Sequence, residues 1–548
     1  MTVEGGLAEP EELEPAQGSL DLADPSDAWT VADWEAQAAA VLRKSKRLRE
    51  DDPDSQVWQK LTRKTLDGIE VTPLGTKADL DGLETSGRPA RQGAWDIRAQ
   101  IDATDARLAN EEALVDLTGG VTSLWLTGAT DYEQVLKDVL LDLAPVVLER
   151  GDADAFLEYA EGRALHPDTN LGIPAADATV EVAHRAQAAG VRAFVVDASA
   201  IHDRGASDVQ ELAWSVAAGT SYLRHLTEQG LGVDEAAALV EFRYAATDEQ
   251  FATIAKLRAA RRLWARVLEL SGGSGEMRQH AVTSRPMMSK YDPWVNMLRT
   301  TIAAFAAGVG GADSVTVLPF DGPLGRPDAF GRRVARNTNH LLIDESHVAR
   351  VADPAGGAYA VEKLTDDLAR AAWELFGRLD DGADLDAEIS ATVEERERQI
   401  ATRKRPITGL TEFPDLGETL PVREGDGDPV RRYGASFEAL RDEPVAQPVH
   451  LATLGTVAQH TARATFATNL LAAGGISVAT EAGDHRVVCI AGTDAAYDEQ
   501  GAEAAAKARR DGAEWVIVAG QPRDWADDSC ALGVDALDFL TRTREKLS

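Results

Sequence analysis

Short apolar runs alternate with longer helical patterns from about residue 70 to residue 380, and this alternation limits the possible folds more than any other feature. The strand-like runs are rich in Val, Leu and aromatic residues and lie at 120–128, 191–199 and 312–320. The intervening helical patterns include 207–226 and one long helix predicted over 234–270. Such alternation indicates a parallel α/β sheet, and its length suits an eightfold (β/α) barrel of ~250 residues. The sequence therefore predicts a (β/α)8 TIM-type barrel over residues 73–380.

A second, smaller α/β pattern follows at 448–548. Its predicted strands lie at 450–454, 476–480, 486–492 and 514–520. Its predicted helices lie at 461–474 and 497–512. The pattern is typical of a flavodoxin-like doubly wound sheet, which holds ligands at the carboxyl ends of its strands. Only EAGDH separates the second strand from the third, which is too short for a crossover helix. The sequence therefore predicts a trimmed domain, one that lacks the usual crossover helix between these two strands.

The rest of the chain divides into an amino-terminal part, 1–72, and a linker, 381–447. Residues 1–28 are rich in Glu, Asp, Pro and Gly, which predicts a disordered or partner-dependent arm. A helical pattern then runs from Asp33 to about Thr65 and places these residues near one face: Trp34, Ala38, Val41, Leu42 and Leu48. Its basic face could dock onto a partner chain, or it could be an ordinary solvated face.

The charge balance excludes several classes of partner. Lys and Arg number 56 against 91 Asp and Glu, a formal net charge of −35. Such a surface repels nucleic acid and anionic membranes, and no apolar run is long enough to span a bilayer. Cys489 and Cys530 form neither a metal-binding nor a redox spacing, and the acidic amino terminus does not resemble a signal peptide. We therefore expect a cytoplasmic protein.

Two long blocks carry a distinctive pattern: MRQHAVTSRPMMSKYDPWVNMLRTTIAAFAAGVGGADSVTVLPFD at 277–321 and RRVARNTNHLLIDESHVARVADPAGGAYAVEKLTDDLARAAW at 332–373. Both resemble the barrel domain of the cobalamin-dependent methylmalonyl-CoA mutase family. The order of arm, barrel, linker and flavodoxin-like domain agrees, and the resemblance extends from about residue 30 to the end. It implies radical isomerisation of methylmalonyl-CoA and succinyl-CoA. It also implies adenosylcobalamin between the two domains and acyl-CoA along the barrel axis.

The cobalamin-binding loop of that family reads D-x-H-x-x-G, with the histidine on cobalt and the aspartate orienting it. Here His460 has Ala458 two residues before it and Arg463 three residues after it, and it lies one residue further from Gly455 than the family pattern places it. Either His460 still ligates cobalt or it is a polar residue near a helix start. We favour the second interpretation, because a lone histidine is weak evidence of a metal site.

The catalytic groups of the barrel are also missing from the matching positions. The family's Tyr-His pair aligns with Ser199 and Ala200, and His202 lies two residues away. The block GAWDIRAQ at 93–100 resembles a remnant that keeps Trp95 and Arg98, whereas the P-F-T-R-G segment and the radical-shielding tyrosine are missing.

Two further groups of residues are candidates for a coenzyme or phosphate site. His280, Ser284 and Arg285 match residues near the coenzyme path of catalytic chains, and we interpret them as inherited scaffold. The basic cluster RAARRLWAR at 258–266 could face phosphates, although a solvated helix face is the commoner outcome.

The resemblance and these departures together predict a non-catalytic small subunit of a heterodimeric enzyme of this family. We expect no catalytic, cofactor-binding or metal-binding residue in this chain. Adenosylcobalamin and acyl-CoA would be held by a large catalytic partner subunit. Two alternatives stay open: a divergent acyl-CoA mutase that uses His202 and His460, or a scaffold that binds cobalamin enzymes transiently.

Overall fold

The computed structural model describes residues 28–83, 85–129, 131–481 and 483–548, so the predicted arm lies outside the described residues except for Ala28. The chain forms two compact units. Of the described residues, one unit contains 28–64 together with Glu70–Leu74, and the other contains Thr65–Ile69 and the residues from Gly75 to Ser548. No helix within the described ranges is long and apolar enough to cross a membrane.

The first unit is a pair of helices followed by a small antiparallel ribbon. Its elements are α1 Val31–Lys44, α2 Gln56–Leu61, β1 Arg63–Lys64 and β2 Glu70–Val71. The helical pattern predicted from Asp33 to about Thr65 forms two separate helices, because α1 ends where Lys46 adopts a positive φ of 57°. Val41 was predicted on the apolar face but is 67% exposed, and Ala39 is buried instead.

The second unit contains a closed barrel of eight parallel strands, in the order β10-β3-β4-β5-β6-β7-β8-β9. This confirms the predicted TIM-type barrel. The strands are β3 Asp96–Asp102, β4 Ser123–Thr127, β5 Val146–Glu149, β6 Asn170–Pro174, β7 Arg192–Asp197, β8 Val240–Ala246, β9 Arg278–Thr283 and β10 Ser314–Thr316.

Eleven helices follow or connect these strands: α3 Ala106–Thr118, α4 Tyr132–Val135, α5 Ala153–Tyr159, α6 Val180–Ala189, α7 Ser199–Asp203, α8 Asp208–Glu228, α9 Val233–Ala238, α10 Gln250–Leu270, α11 Pro293–Val309, α12 Ala329–His340 and α13 Tyr359–Asp380. The long helix predicted at 234–270 is wrong, since it contains the buried strand β8 between α9 and α10. Phe242 of β8 packs against Trp264 in the helix layer, whereas Glu241 and Arg243 point into the barrel.

The segment predicted as a linker, 381–447, contains α14 Leu385–Ala401 and α15 Ala435–Asp442 and lies against the barrel. Gln210 of α8 donates to the Glu388 carbonyl at 3.0 Å, and Arg396 donates to the Gly205 carbonyl at 2.7 Å. In the segment that connects α14 to α15, the Glu424 carbonyl accepts a hydrogen bond of 2.7 Å from the backbone amide of Arg326. The backbones meet so closely there that a Cβ on Gly325 would lie 2.6 Å from the Glu424 oxygen.

The carboxyl-terminal part is a parallel five-stranded sheet of order β12-β11-β13-β14-β15, which confirms the flavodoxin-like prediction. Its elements are β11 Val449–Thr453, α16 Val457–Ala473, β12 Val478–Ala479, β13 Val487–Ala491, α17 Asp494–Ala496, α18 Ala502–Arg510, β14 Trp515–Val518, β15 Asp528–Ser529 and α19 Ala536–Leu547. The sequence did not predict β15 or α19. Between β12 and β13 the described residues form no helix, as expected for a trimmed domain. Cys489 and Cys530 are buried in its core as free thiols.

The basic cluster of α10 is part of the barrel's packing. Arg258 is 1% exposed and donates to Glu362 of α13 at 2.7 Å and to Asp353. Arg261 is also buried, with the Gly310 carbonyl 2.6 Å away. Neither interpretation of this cluster holds for these two residues, because their guanidinium groups meet protein acceptors.

We predict that Arg258→Ala destabilises the protein by about 3–5 kcal/mol, because it leaves the buried carboxylate of Glu362 without its cation. Arg266 on the same helix is the control, since its pair with Glu269 is exposed. Arg266→Ala should cost less than about 1 kcal/mol. Urea unfolding of both variants tests this, and equal losses would contradict the assigned role of Arg258.

Candidate functional site

A cavity of about 770 Å³ lies at the carboxyl-terminal mouth of the barrel. The ends of four strands contribute Asp102, Thr127, Glu149 and Asp197 to its wall. The loop at 424–430 covers another side. Active sites of TIM-type barrels lie at this end of the strands, so this cavity is the candidate active site of the barrel.

The floor of the cavity is a buried ion pair. Arg98 of β3 donates to Glu241 of β8 at 2.8 Å and to Asp96 at 3.2 Å. Arg98 and Glu241 are both 1% exposed. Burial opposes the charge on Arg98, but Glu241 and Asp96 outweigh it and raise the pKa of Arg98. The remnant arginine predicted from GAWDIRAQ thus has its donors turned toward protein carboxylates.

Arg243 forms a second ionic cluster beside the first. Its Nη1 lies 2.9 Å from Asp197 of β7 and 3.1 Å from Glu149 of β5, and its guanidinium carbon lies 4.1 Å from the ring centroid of Trp125. Arg98 and Arg243 together connect strands β3, β5, β7 and β8 across the lumen. We call these two arginines with Glu241, Asp197 and Glu149 the lumen network.

His280 completes the interior of the barrel. Arg243 Nε donates to His280 Nδ1 at 3.2 Å, and His280 Nε2 lies 2.8 Å from the Thr316 hydroxyl. Burial, followed by the nearby Arg98 and Arg243, holds the pKa of His280 well below its usual value. The ring is therefore neutral, and Nε2 carries the proton that it donates to Thr316.

His202 lies in a separate buried cluster and is not part of the cavity wall. Its Nε2 is 2.7 Å from the Ser284 hydroxyl and 3.4 Å from that of Tyr433, and its Nδ1 is 3.7 Å from Glu211. Burial and then Lys256 hold the pKa of His202 well below its usual value. A histidine–serine pair of this geometry can transfer protons, but both residues are only 2% exposed.

The other candidate residues of the barrel fall into two groups. Ser199, Ala200 and Arg285 line the cavity, where Ser199 lies 2.5 Å from Asp197 and Arg285 lies 3.3 Å from Asp203. Trp95 is buried and donates to Asn339 at 2.9 Å. None of these side chains brings an imidazole or a phenol to the cavity.

The crevice of the flavodoxin-like sheet lies between β11 and β13, where the strand order reverses. Arg463 of α16 crosses it and donates to the Gly492 carbonyl at the end of β13 at 2.9 Å. Its guanidinium lies 5.1 Å from the ring of Tyr497, whose hydroxyl donates to the Ala519 carbonyl at 2.7 Å. Protein side chains therefore occupy the place where such a sheet holds a ligand.

The residues of this crevice do not fit cobalamin. His460 lies in the first turns of α16, and its buried Nδ1 has no hydrogen-bond partner among the described residues. A ligating imidazole needs an acceptor on its second nitrogen, and Ala458 supplies none. Arg463 occupies the position where the family pattern has glycine. Across the described ranges, no group of three or more His, Cys, Asp or Glu side chains is placed to hold a metal ion.

The sequence did not reveal the lumen network. Glu241 and Arg243 lie in the segment that was interpreted as a helix. The signal that could have found them is the alternation in VEFRYAA, where charged and aromatic residues occupy opposite faces of a strand. The crossing of the crevice by Arg463 could not be inferred either, because it depends on the rotamer and on Tyr497.

Fold and sites define an α/β protein that combines a TIM-type barrel with a flavodoxin-like sheet. A family model described as methylmalonyl-CoA mutase matches residues 173–482, more than half of the chain. The chain belongs to the methylmalonyl-CoA mutase family.

Curated relatives extend this similarity over nearly the whole chain. The methylmalonyl-CoA mutase small subunit of Streptomyces virginiae is 42% identical over 97% of this chain and 99% of its own length. The small subunit of Propionibacterium freudenreichii subsp. shermanii is 33% identical, with 98% of each chain covered. The methylmalonyl-CoA mutase of Escherichia coli is 28% identical over 78% of this chain and 71% of its own length.

Asp203 at the cavity gives a pH-dependent prediction. Burial raises its pKa to about 6, although Arg285 acts in the opposite direction. The pKa of an aspartate in the unfolded chain is about 3.9. Between this pKa and the folded pKa, Asp203 keeps a proton in the folded state that the unfolded state has lost. The free energy of unfolding therefore falls as the pH rises through the folded pKa. We expect wild type to lose about 1 kcal/mol more than Asp203→Asn between pH 5.5 and 7.5.

Urea unfolding at both pH values tests this prediction. Asp524→Asn, at an exposed carboxylate, is the matched control and should follow wild type. Parallel pH slopes for wild type and Asp203→Asn would show that the buried carboxyl does not titrate in this range.

Proposed function

We propose that this chain is a non-catalytic, structural subunit of a heterodimeric methylmalonyl-CoA mutase. The lumen network is the observation that carries the proposal. The mutase mechanism requires acyl-CoA to lie along the barrel axis. Arg98 of β3 pairs across that axis with Glu241 of β8, and Arg243 of β8 pairs across it with Glu149 of β5. Opening a channel would separate buried ion pairs, which is strongly unfavourable.

The charge of the cavity supports the same proposal. Nine carboxylates and six arginines line it: Asp102, Glu112, Asp116, Glu149, Asp197, Asp203, Glu424, Asp426 and Asp428, and Arg98, Arg150, Arg285, Arg326, Arg332 and Arg336. Several of these arginines, among them Arg285, Arg326 and Arg332, are already paired with carboxylates of this chain. A net negative wall disfavours a polyanion such as coenzyme A.

The partner in this proposal is the large catalytic subunit, which holds adenosylcobalamin and acyl-CoA and performs the radical isomerisation. Relatives named as small subunits match nearly the whole chain, which supports a second, larger chain in the complex. Residues 1–72 would wrap around that partner, followed by the barrel at 73–380, the linker at 381–447 and the flavodoxin-like domain at 448–548. We place the complex in the cytoplasm.

We predict that the chain alone retains no cobalamin. Arg463 crosses the crevice, and His460 lacks the carboxylate that would orient it. The chain and the large subunit are each incubated with adenosylcobalamin, separately and together, and then desalted. Visible spectra, native masses and mutase activity of each sample are recorded, and the expected result is a colourless, inactive chain alone and a coloured, active 1:1 complex.

Two other outcomes would each indicate a different function. Stoichiometric cobalamin on the chain alone, lost in His460→Ala, would overturn the proposal in favour of a cofactor-binding mutase. A complex that dissociates during gel filtration while the large subunit stays active would instead indicate a transient scaffold.

A further inference from the structure

The outer face of α11 carries no charged residue. Trp294, Leu298 and Ile302 recur every fourth position and are 48%, 65% and 40% exposed. The one charged side chain of the helix, Arg299, is buried and donates to the Thr408 carbonyl at 2.7 Å. Surface helices normally present a polar outer face, so α11 is exceptional in a chain of which 27% is charged.

The apolar surface continues onto the next helix of the barrel. Trp294 stacks on Phe320 with ring centroids 5.1 Å apart, and Phe320 contacts Phe330 of α12 at 6.0 Å. Phe330 is 42% exposed. We call Trp294, Leu298, Ile302 and Phe330 the α11–α12 patch. Contiguous apolar patches of this kind mark interaction sites in soluble proteins.

We propose that the α11–α12 patch is a docking surface for the large catalytic subunit. This inference rests on the heterodimer proposed above. Two copies of a chain with a net charge of −35 repel one another, so a second copy is a poor occupant.

Beside the patch lies the exposed Arg333, whose guanidinium is 5.5 Å from the ring of Phe330. Arg333 has no ion pair among the described residues. The patch therefore fits a different chain, one that presents an apolar helical face with a carboxylate at the position that meets Arg333.

The test measures assembly of full-length chains. Leu298→Glu places a charge in the centre of the patch, and Leu143→Glu, at a residue outside the patch that is 68% exposed, is the matched control. We expect Leu298→Glu to weaken binding to the large subunit by roughly tenfold or more, with Leu143→Glu unchanged. Phe330→Glu repeats the test from α12, and thermal melting confirms that each variant folds.

The outcomes separate this surface from the proposed function. If wild type binds the large subunit and both patch variants bind equally well, the heterodimer stands and the α11–α12 patch is not its interface. If wild type does not bind the large subunit at all, both proposals fail. If wild type alone forms a dimer that Leu298→Glu dissociates, a second copy is the occupant and the proposed partner is wrong.

Discussion

The ion pairs across the barrel lumen are the interaction on which the rest of the structure depends. The interior of a TIM-type barrel is usually filled by layers of branched apolar side chains. Here Arg98 reaches Glu241 on the opposite side, and Arg243 reaches Asp197 and Glu149. Charges in such an interior are tolerated only when each has its partners, so the positions of these side chains are interdependent. The network fixes both the packing of the barrel and the shape of the cavity above it.

In the flavodoxin-like sheet, polar groups are also paired within the chain, by different residues. A crevice at a strand-order reversal leaves backbone groups free for a ligand. Arg463 satisfies the Gly492 carbonyl, and the Tyr497 hydroxyl both accepts from the Gly492 amide and donates to the Ala519 carbonyl. The sheet thus keeps the topology of a ligand-binding domain while its polar edge is paired internally. In both domains, arginines of this chain thus pair with protein acceptors, in the barrel lumen and in the crevice.

The sequence predicted the class of each domain because local periodicity determines it. Strands such as VRAFVVDAS and EWVIVAG are short, apolar and bounded by turns, and both were found within two residues of the predicted bounds. The strand β8 was missed because VEFRYAA mixes charged and aromatic residues, which fits an amphipathic helix as well as a barrel strand. The partners of Glu241 and Arg243 could not be inferred, since they come from the four strands β3, β5, β7 and β9, which are separate in sequence.

The lumen network also restricts which amino-acid substitutions this chain can accept. Replacing Arg98 alone leaves Glu241 buried without its cation, and replacing Glu241 alone leaves Arg98 without its main anion. Either step costs about 3–5 kcal/mol, a large part of the ~5–15 kcal/mol that keeps a domain folded. Substitutions at these two positions are therefore tolerated when both members of the pair change together. The lumen network thus couples positions on β3 and β8 that are more than a hundred residues apart in the sequence.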